Sequence, residues 1–232
     1  FMKAITVSLN MLFRQIRTDK IGAVIMGFPI AAALLFRFLT PYPNRRIGID
    51  LTSYYPLLDL MTIYFALTLP GFSAAMVMLD ELDGKVVPSL CGSPLGKKGY
   101  LLSRFVPPGV FGFLLSTALI ASLNLGSLSF PVYAAAILCG VVCSYIPILI
   151  VVAYARNKGE GVAIFKMSIM TMTGLLIPFV IDSWVRYLFG FLPSYWMALI
   201  VTDNNIVYAV PALLLSAFWI LFPWRRFMKK LY

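Results

Sequence analysis

The sequence predicts an all-α integral membrane protein with six transmembrane helices. Of its 232 residues, 61% are hydrophobic and 12% are charged, and the mean hydropathy is +0.90. An ordinary soluble domain is about a quarter charged, so this composition excludes one. Six apolar segments reach the roughly 20 residues that a helix needs to cross the hydrocarbon core. They are residues 21–39, 57–79, 105–125, 131–154, 162–180 and 206–224.

Residues 1–20 predict an amphipathic interfacial helix ahead of the spans. Apolar residues recur on one helical face at Ile5, Leu9, Leu12 and Ile16, and polar or basic residues occupy the other face. Such a helix suits the boundary between lipid headgroups and acyl chains. Residues 21–232 then form one six-helix transmembrane domain.

The basic residues predict which ends of the spans face the cytoplasm. Fifteen of the 19 Lys and Arg residues fall on one side of the six spans. Cytoplasmic loops carry an excess of Lys and Arg, so we expect both termini and the loops 80–104 and 155–166 to be cytoplasmic. The predicted location is the cell (plasma) membrane, with multiple passes. Because topology accounts for the net charge of +10, nucleic acid is not an expected partner.

The loop 80–104 is the longest charged interruption between apolar segments. An acidic cluster is followed by apolar residues, a Ser-Pro-Leu turn and two lysines. Apolar residues between charged clusters need a surface to cover them, so we expect this loop to stand in water and dock on a soluble partner. Glu81 and Asp83 would then pair with basic residues of that partner. The alternative is a solvated loop whose charges only set the topology.

Residues 182–205 predict a short re-entrant helical hairpin before the last span. Their two apolar pieces are each too short to cross the membrane, and Gly190 and Pro193 separate them. Two short helices that dip into the outer leaflet and return would keep the backbone hydrogen-bonded if protein covers them. Pro193, Tyr195 and Trp196 are the candidate residues of this segment. The alternative is an interfacial hairpin anchored by its aromatic side chains.

A few polar, aromatic and methionine residues inside the spans predict a path for a hydrophobic or amphipathic small molecule. The candidates are Phe65, Thr68, Phe72, Ser116, Met167, Met170 and Thr171. The alternative is that these side chains only pack helices together, with Ser and Thr bonding across helices and Met filling gaps.

Enzymatic and metal-dependent functions are not expected. The chain has no His, its three Cys residues are not paired as zinc ligands, and no nucleophile with an adjacent base is visible. No Gly-rich phosphate loop ending in Lys-Ser or Lys-Thr occurs, so P-loop binding of ATP is excluded for this sequence. The intramembrane charges Arg37, Asp59, Asp182 and Arg186 lie near the outer ends of the spans, which disfavours a proton relay.

Three stretches carry a resemblance to a known family. They are Glu81-Leu82-Asp83-Gly84 followed by Ser93-Pro94-Leu95, then Asn157-Lys158-Gly159-Glu160-Gly161-Val162-Ala163, then Leu192-Pro193-Ser194-Tyr195-Trp196. In their order and placement these stretches resemble the permease subunits of ABC-2 type ATP-binding cassette (ABC) transporters, and more narrowly fluoroquinolone-export permeases. Pro88 and Pro107-Pro108 depart from that pattern.

The resemblance implies a transport subunit rather than an enzyme. It implies a separate ABC ATPase subunit that binds ATP and Mg, a second permease copy (identical or similar), and contact with membrane lipid. It also implies export of a drug- or antibiotic-like molecule. The candidate ATPase-coupling residues are Glu81, Asp83, Gly84, Val86, Val87, Leu90, Ser93, Pro94, Leu95, Lys158, Glu160 and Gly161. The alternatives are a lipid or polymer-lipid exporter and a non-transporting membrane anchor of a signalling or immunity complex.

Overall fold

The computed structural model describes residues 2–18, 20–40 and 51–231, and the regular elements in these ranges are helices. The α-helices are α1 (Met2–Thr18), α2 (Lys20–Leu39), α3 (Tyr55–Asp83), α4 (Val87–Gly92), α5 (Gly96–Leu123), α6 (Phe130–Tyr154), α7 (Lys158–Ser168), α8 (Ile177–Val180), α9 (Pro193–Thr202) and α10 (Ala209–Lys230). Short 3₁₀ helices cover Thr52–Tyr54, Ile169–Leu175, Trp184–Phe191 and Ile206–Tyr208.

Four helical segments of the described chain are long and apolar enough to cross a membrane. They are Thr52–Asp83, Gly96–Leu123, Phe130–Tyr154 and Ile206–Lys230. Each contains or overlaps a predicted span, so the all-helical membrane fold is confirmed. Helix α2 covers the first predicted span, with a shorter apolar stretch at Val24–Leu39.

The predicted span 162–180 is three short helical elements instead of one helix. Helix α7 passes into the 3₁₀ segment Ile169–Leu175 and then into α8. The hydroxyls of Thr171 and Thr173 donate to the carbonyls three residues earlier, which favours local bonds over a continuous helix. Gly174 packs so closely on Ser194 and Tyr195 that a Cβ atom would lie 2.3 Å from the Ser194 hydroxyl.

The region 182–205 contains two short helical pieces, as its sequence predicts. The 3₁₀ segment Trp184–Phe191 has no buried residue, whereas eight of the residues of α9 are buried. Pro193 begins α9, where a missing N–H costs no helical hydrogen bond.

Helix α1 buries one face on the bundle. Leu12 and Ile16 pack against Ala74 and Val77 of α3. Ser8 is buried as well. The predicted apolar-face residue Ile5 lies outside the side chains that the structure describes. The described part of the apolar face of α1 therefore packs on protein, and the position of α1 in the membrane interface stays a prediction.

Helix α3 is the central helix of the bundle. Of its most apolar stretch 83% is buried, between α2, α5, α6 and α7. By contrast, the corresponding stretches of α5 and the Ile206–Lys230 segment are 28% and 17% buried. These two spans therefore present broad apolar faces to lipid or to another chain.

Polar contacts hold the helix ends together at two opposite ends of the bundle. At one end, the Lys230 ammonium donates to the carbonyl of Val152 at 3.0 Å, and Lys158 pairs with Asp80 at 2.6 Å. We call this end, with the α3–α5 connection and the α6–α7 turn, the basic end. At the opposite end, the Asp59 carboxylate accepts from the backbone N–H groups of Leu125 (2.9 Å) and Gly126 (2.8 Å). Arg37 donates to the carbonyl of Asn124 at this same end, at 2.7 Å.

Candidate functional site

The connection between α3 and α5 lies at the basic end and is more helical than its sequence predicts. Residues 84–86 form a turn in which Lys85 has a φ of 53°, helix α4 follows, and residues 93–95 lead into α5. The Ser93 hydroxyl donates to the carbonyl of Leu90 at 2.7 Å, which closes the end of α4. Gly96, with a φ of 65°, adopts the left-handed conformation that glycine reaches without strain. Helix α5 therefore begins inside the predicted loop and continues through Pro107 and Pro108.

The short helix α4 has one face inside the protein and one face outside. Val87 and Leu95 are 3% and 4% exposed and pack in the cluster that contains Phe72, Met76 and Phe165. Leu90 and Ser93 are half-buried, whereas Asp83, Gly84, Val86 and Pro94 are exposed. The loop's apolar residues Val86, Val87 and Leu90 were expected to fill a groove on the partner, and this expectation needs correction for Val87. Val87 fills the core of this chain because α4 lies flat on it, and Val86 is the one that points outward.

Glu81 forms a buried ion pair with Arg104. The Arg104 guanidinium donates to Glu81 Oε1 at 2.5 Å and to Oε2 at 3.0 Å. The Arg104 side chain is 1% exposed and the Glu81 side chain is 6% exposed. The Tyr100 hydroxyl also donates to Glu81 Oε2, at 3.0 Å. The expectation that Glu81 pairs with a cation of another protein is therefore corrected. Its carboxylate already has a cation and a hydroxyl within this chain, as a buried charge requires.

Arg104 also connects this ion pair to α1. Its Nη1 donates to the Ser8 carbonyl at 3.0 Å and to the Ser8 hydroxyl at 3.1 Å. The hydroxyls of Ser8 and Ser103 lie 2.9 Å apart. We call Ser8, Glu81, Tyr100, Ser103 and Arg104 the buried polar cluster. It joins α1, the end of α3 and the start of α5 next to α4.

Four members of the buried polar cluster could not be recognised from the sequence. Ser8, Tyr100 and Ser103 are common residue types in ordinary contexts, and Arg104 looks like one of the many basic residues that set the topology. One feature of the sequence does indicate the ion pair: an acidic residue, Glu81, precedes the α3–α5 connection, and a basic residue, Arg104, follows it. Sequence spacing alone does not reveal that these two side chains meet.

The α6–α7 turn joins the α3 end through Lys158 and Gly161. The Asn157 side chain accepts from the backbone N–H of Glu160 at 2.9 Å and caps α7. The Glu160 carboxylate accepts from the N–H of Arg156 at 2.9 Å, so Glu160 braces the same helix start. The Lys158–Asp80 pair is partly exposed, at 41% and 55%. Gly161 is buried, and a Cβ atom there would lie 2.6 Å from Leu79.

The seven candidate path residues do not share one wall in the described chain. Thr68, Phe72 and Ser116 are buried, Phe65 and Thr171 are half-buried, and Met167 and Met170 are 74% and 70% exposed. Phe72 stacks on Phe165 with ring centroids 3.8 Å apart. Ser116 donates to the carbonyl of Phe113 at 3.0 Å, which is an ordinary contact inside its own helix. The two methionines face outward from the broken α7 region, so a second surface is needed to close a path over them.

The candidate residues of the 182–205 segment form its inner core. Pro193 and Tyr195 are buried, and the Trp196 indole donates to the Gly190 carbonyl at 2.7 Å. Arg186 contacts the Tyr187 ring and hydroxyl. The Trp196–Gly190 bond holds the two short helical pieces against each other, whereas the Arg186–Tyr187 contact lies within the first piece.

The fold defines a helical membrane protein with several spans, and the matching family model places it among permeases. More particularly, the chain belongs to the Rv2686c-like family of fluoroquinolones export permease proteins, which matches residues 12–225. Two relatives from Mycobacterium tuberculosis carry the names fluoroquinolones export permease protein Rv2686c (strain H37Rv) and MT2760 (strain CDC 1551). Each is 31% identical over 189 residues, covering 72% of this chain and 67% of the relative. No solved structure matches the chain significantly.

Proposed function

We propose that this chain is the permease subunit of an ABC exporter that moves a hydrophobic or amphipathic drug-like molecule across the plasma membrane. ATP and Mg bind to a separate ATPase subunit, and ATP hydrolysis there drives transport. Membership in a family named for fluoroquinolone export supports the cargo class. The names of the two relatives support the same assignment for this chain.

The observation that carries the proposal is the placement of α4. Val87 of α4 and the nearby Leu95 fix the α3–α5 connection on the core, and the outer side of that connection presents Asp83, Val86 and Pro94. Val86 is 45% exposed beside charged residues, where a partner surface would cover it. This outer side is the surface on which the ATPase subunit docks. A push on α4 reaches α3 and α5 directly because they flank it in the chain.

The buried polar cluster carries this movement to α1. Arg104 bonds Glu81 and Ser8 at the same time, so α1, α3 and α5 move together at the basic end. Buried networks of this kind give two or three elements one fixed arrangement. ATP-driven closure of the ATPase subunit shifts that unit and changes which side of the path is open.

The chain crosses the membrane six times, with both termini and the basic end in the cytoplasm. The fifth crossing is the α7–α8 region, and two observations support it. Lys158 pairs with Asp80 at the basic end, whereas Phe179 lines the same cavity as Ser127 and Ser53 at the opposite end. The surplus of basic residues supports the cytoplasmic orientation.

The 182–205 segment is re-entrant from the opposite end. The Trp219 indole, halfway along α10, donates to the Phe191 carbonyl at 3.0 Å. Thr202, at the other end of α9, lies beside Ser127 at the opposite end of the bundle. The Phe191 carbonyl therefore lies nearer the middle of α10 than Thr202 does, and protein covers α9 as a re-entrant backbone requires.

The exporter works as a dimer of permease copies. Only 28% of the most apolar stretch of α5 and 17% of that of Ile206–Lys230 are buried within one copy. A second copy can cover part of the apolar surface that remains exposed. Met167 and Met170 lie on the outer side of the α7 region, where the second copy closes the path over them.

Co-purification with the ATPase subunit, followed by an ATPase assay, tests the proposal. We expect a stable complex whose ATP hydrolysis is stimulated by a fluoroquinolone. Replacing Val86 with Glu and Asp83 with Lys is expected to abolish the complex, and the exposed opposite-end substitution Asn204→Lys serves as the matched control. Stimulation by lipid alone would favour a lipid exporter. A purified chain that recruits no ATPase would favour a membrane anchor.

A further inference from the structure

Lys166 of α7 lies at membrane depth. Its neighbour Phe165 stacks on Phe72 of α3, with ring centroids 3.8 Å apart. Phe72 comes eight residues before Asp80, which lies at the basic end, and thirteen residues after Asp59, which lies at the opposite end. At 1.5 Å per residue these separations are about 12 Å and about 20 Å. Lys166 is therefore roughly a third of the way across the bundle.

The length of α7 gives the same depth for Lys166. Lys158 pairs with Asp80 at the basic end, and Lys166 follows eight residues later in the same helix, again about 12 Å away. The Lys166 side chain is exposed and has no hydrogen bond or ion pair among the described residues. A charge at such a depth is costly in lipid and usually faces a water-filled cavity or the interior of a bundle.

The backbone beyond Lys166 also indicates contact with water. Ile169–Leu175 is a 3₁₀ helix, whose hydrogen bonds have poorer geometry than those of an α-helix. Irregular backbone at membrane depth is tolerated where protein buries it or where it lines a water-filled cavity. Part of this segment is exposed, so the second case fits it. We call the exposed residues of this stretch the Lys166 face: Lys166, Met167, Ile169, Met170 and Thr173.

The exposed faces of α5 and α10 have a different composition. They present apolar side chains such as Leu114 and Phe218. No charged residue occurs in 105–123 or in 206–224. Faces of this kind suit lipid or an apolar protein surface. Snorkelling of Lys166 toward the basic end would not make its own face equivalent to them, because the 3₁₀ segment lies farther into the bundle.

The acidic residues near Lys166 are already bonded within the chain. Asp80 pairs with Lys158, and the Glu160 carboxylate accepts from the Arg156 N–H. Glu160 precedes Lys166 by six residues, which places the two on different faces of α7. The positive charge of Lys166 is therefore directed at whatever lies outside this chain, and apolar walls around it strengthen its field.

We propose that the Lys166 face lines a water-filled path, in which Lys166 binds the anionic group of a passing molecule. The inference rests on the proposed function and deepens it, because it adds a charge preference that a hydrophobic cargo does not imply. A second copy of the chain completes the path over the exposed side. Met167 and Met170 supply apolar surface within about one helical turn of the charge, so the path accommodates amphipathic anions.

Thiol accessibility in the full chain tests the proposal. Met170→Cys is prepared with Cys91 replaced by serine, and the same chain without Met170→Cys gives the blank for the buried Cys139 and Cys143. Native membrane fragments, in which both membrane surfaces are accessible, are treated with an anionic sulfonatoethyl or a cationic trimethylammonioethyl methanethiosulfonate. These reagents attack the thiolate, which forms only where water reaches the sulfur.

Phe218→Cys on the exposed face of α10 is the matched control for depth. By helix rise both positions lie about 18–19 Å from the basic end. The Met170 side chain is 70% exposed and the Phe218 side chain is 56% exposed. We expect Met170→Cys to react about tenfold faster than Phe218→Cys or more, because water surrounds only the first thiol.

Lys166→Gln tests the role of the charge. The two reagents differ in intrinsic reactivity, so the measured quantity is the ratio of the anionic to the cationic rate at Met170→Cys. We expect Lys166→Gln to lower this ratio by about fivefold or more, because a nearby positive charge attracts one reagent and repels the other. Lys166→Met is the second uncharged variant if Lys166→Gln does not fold.

Two controls separate this effect from a structural role and from general surface charge. Lys166→Arg keeps the charge and is expected to keep the ratio. Lys229→Gln removes an exposed charge at the basic end and is expected to leave the ratio unchanged, since that charge is distant and screened.

The outcomes distinguish the path, the charge and the wider function. Equally slow reaction of Met170→Cys and Phe218→Cys would place the Lys166 face in lipid and overturn the inference. A disulfide between two copies at Met170→Cys without reaction with the reagents would indicate a dry contact and overturn it as well. A reactive Met170→Cys whose ratio ignores Lys166→Gln would refute the anion site. Assembly with the ATPase subunit and stimulated ATP hydrolysis test the proposed function separately, whatever the thiols show.

Discussion

Removal of the Arg104 side chain is expected to expose how strongly the buried polar cluster holds the basic end. In Arg104→Met the methionine retains much of the volume but removes the two bonds to Glu81 and the two bonds to Ser8. The Glu81 carboxylate then remains buried with the Tyr100 hydroxyl as its remaining described partner. Removing one partner of a buried ion pair in this way lowers the free energy of unfolding by about 3–5 kcal/mol.

The partly exposed Lys158–Asp80 pair provides the internal comparison. Its side chains are 41% and 55% exposed, so solvent screens the attraction. Lys158→Met is therefore expected to cost less than about 1 kcal/mol. Both variants place methionine where a cation pairs with a carboxylate; the pairs differ in burial, and Arg104→Met also removes the two bonds to Ser8.

The double variant Glu81→Leu with Arg104→Met separates charge loss from loss of the connection. Replacing both partners by apolar residues removes the stranded charge, so we expect about 2 kcal/mol or more to be recovered relative to Arg104→Met. The link from α3 to Ser8 of α1 stays broken. The double variant is expected to fold and to bind the ATPase subunit, but to transport poorly.

Equilibrium unfolding of the purified variants in detergent measures the stabilities, and drug-stimulated ATPase activity measures coupling. The reasoning is refuted if Arg104→Met is no less stable than Lys158→Met. It is also refuted if the double variant couples as well as the wild type, because α1 would then receive its movement by another route.

Three further predictions concern the supports around the site. Gly161→Val is expected to cost about 1–3 kcal/mol, because its side chain overlaps Leu79 and Met76; Gly159→Ala, whose Cβ atom meets only Asn157 at 3.4 Å, is the control in the same unfolding assay. Asn157→Ala removes the cap of α7 and is expected to cost about 1 kcal/mol, with increased amide exchange confined to the first turn of that helix. Asp59→Leu leaves the N–H groups of Leu125 and Gly126 without their acceptor and is expected to lower the free energy of unfolding by about 2–3 kcal/mol. Asp59→Asn retains one acceptor oxygen and is expected to lower it less. Equal losses for the two variants would argue against these bonds.

Much of the fold could be predicted from the sequence, because lipid imposes simple length and polarity rules. The segments 57–79 and 131–154 follow those rules and match α3 and α6 closely. Residues 182–205 could be recognised as two short pieces because Pro193 interrupts an apolar stretch.

The site was less predictable, because charge patterns do not say which charges pair with each other. Glu81 and Arg104 lie on different helices, and the sequence alone suggests that both charges are exposed to solvent. In the folded chain they form a buried pair. The break after α7 was also hidden, since Thr171 and Gly174 are ordinary in membrane helices and act here through contacts with α9. Which intramembrane residues share a wall depends on helix rotation, so the separation of the seven candidate path residues could not be predicted.

Site-specific photo-cross-linking from Val86, directly before α4, tests the central claim most directly. A photoreactive residue at the exposed position 86 is expected to cross-link the ATPase subunit in native membranes. The same residue at the buried position 87, or at the exposed opposite-end position 127, is expected to cross-link no ATPase. Cross-linking from position 127, or its absence from position 86 in a complex that hydrolyses ATP, would contradict the claim that the ATPase drives this chain through α4.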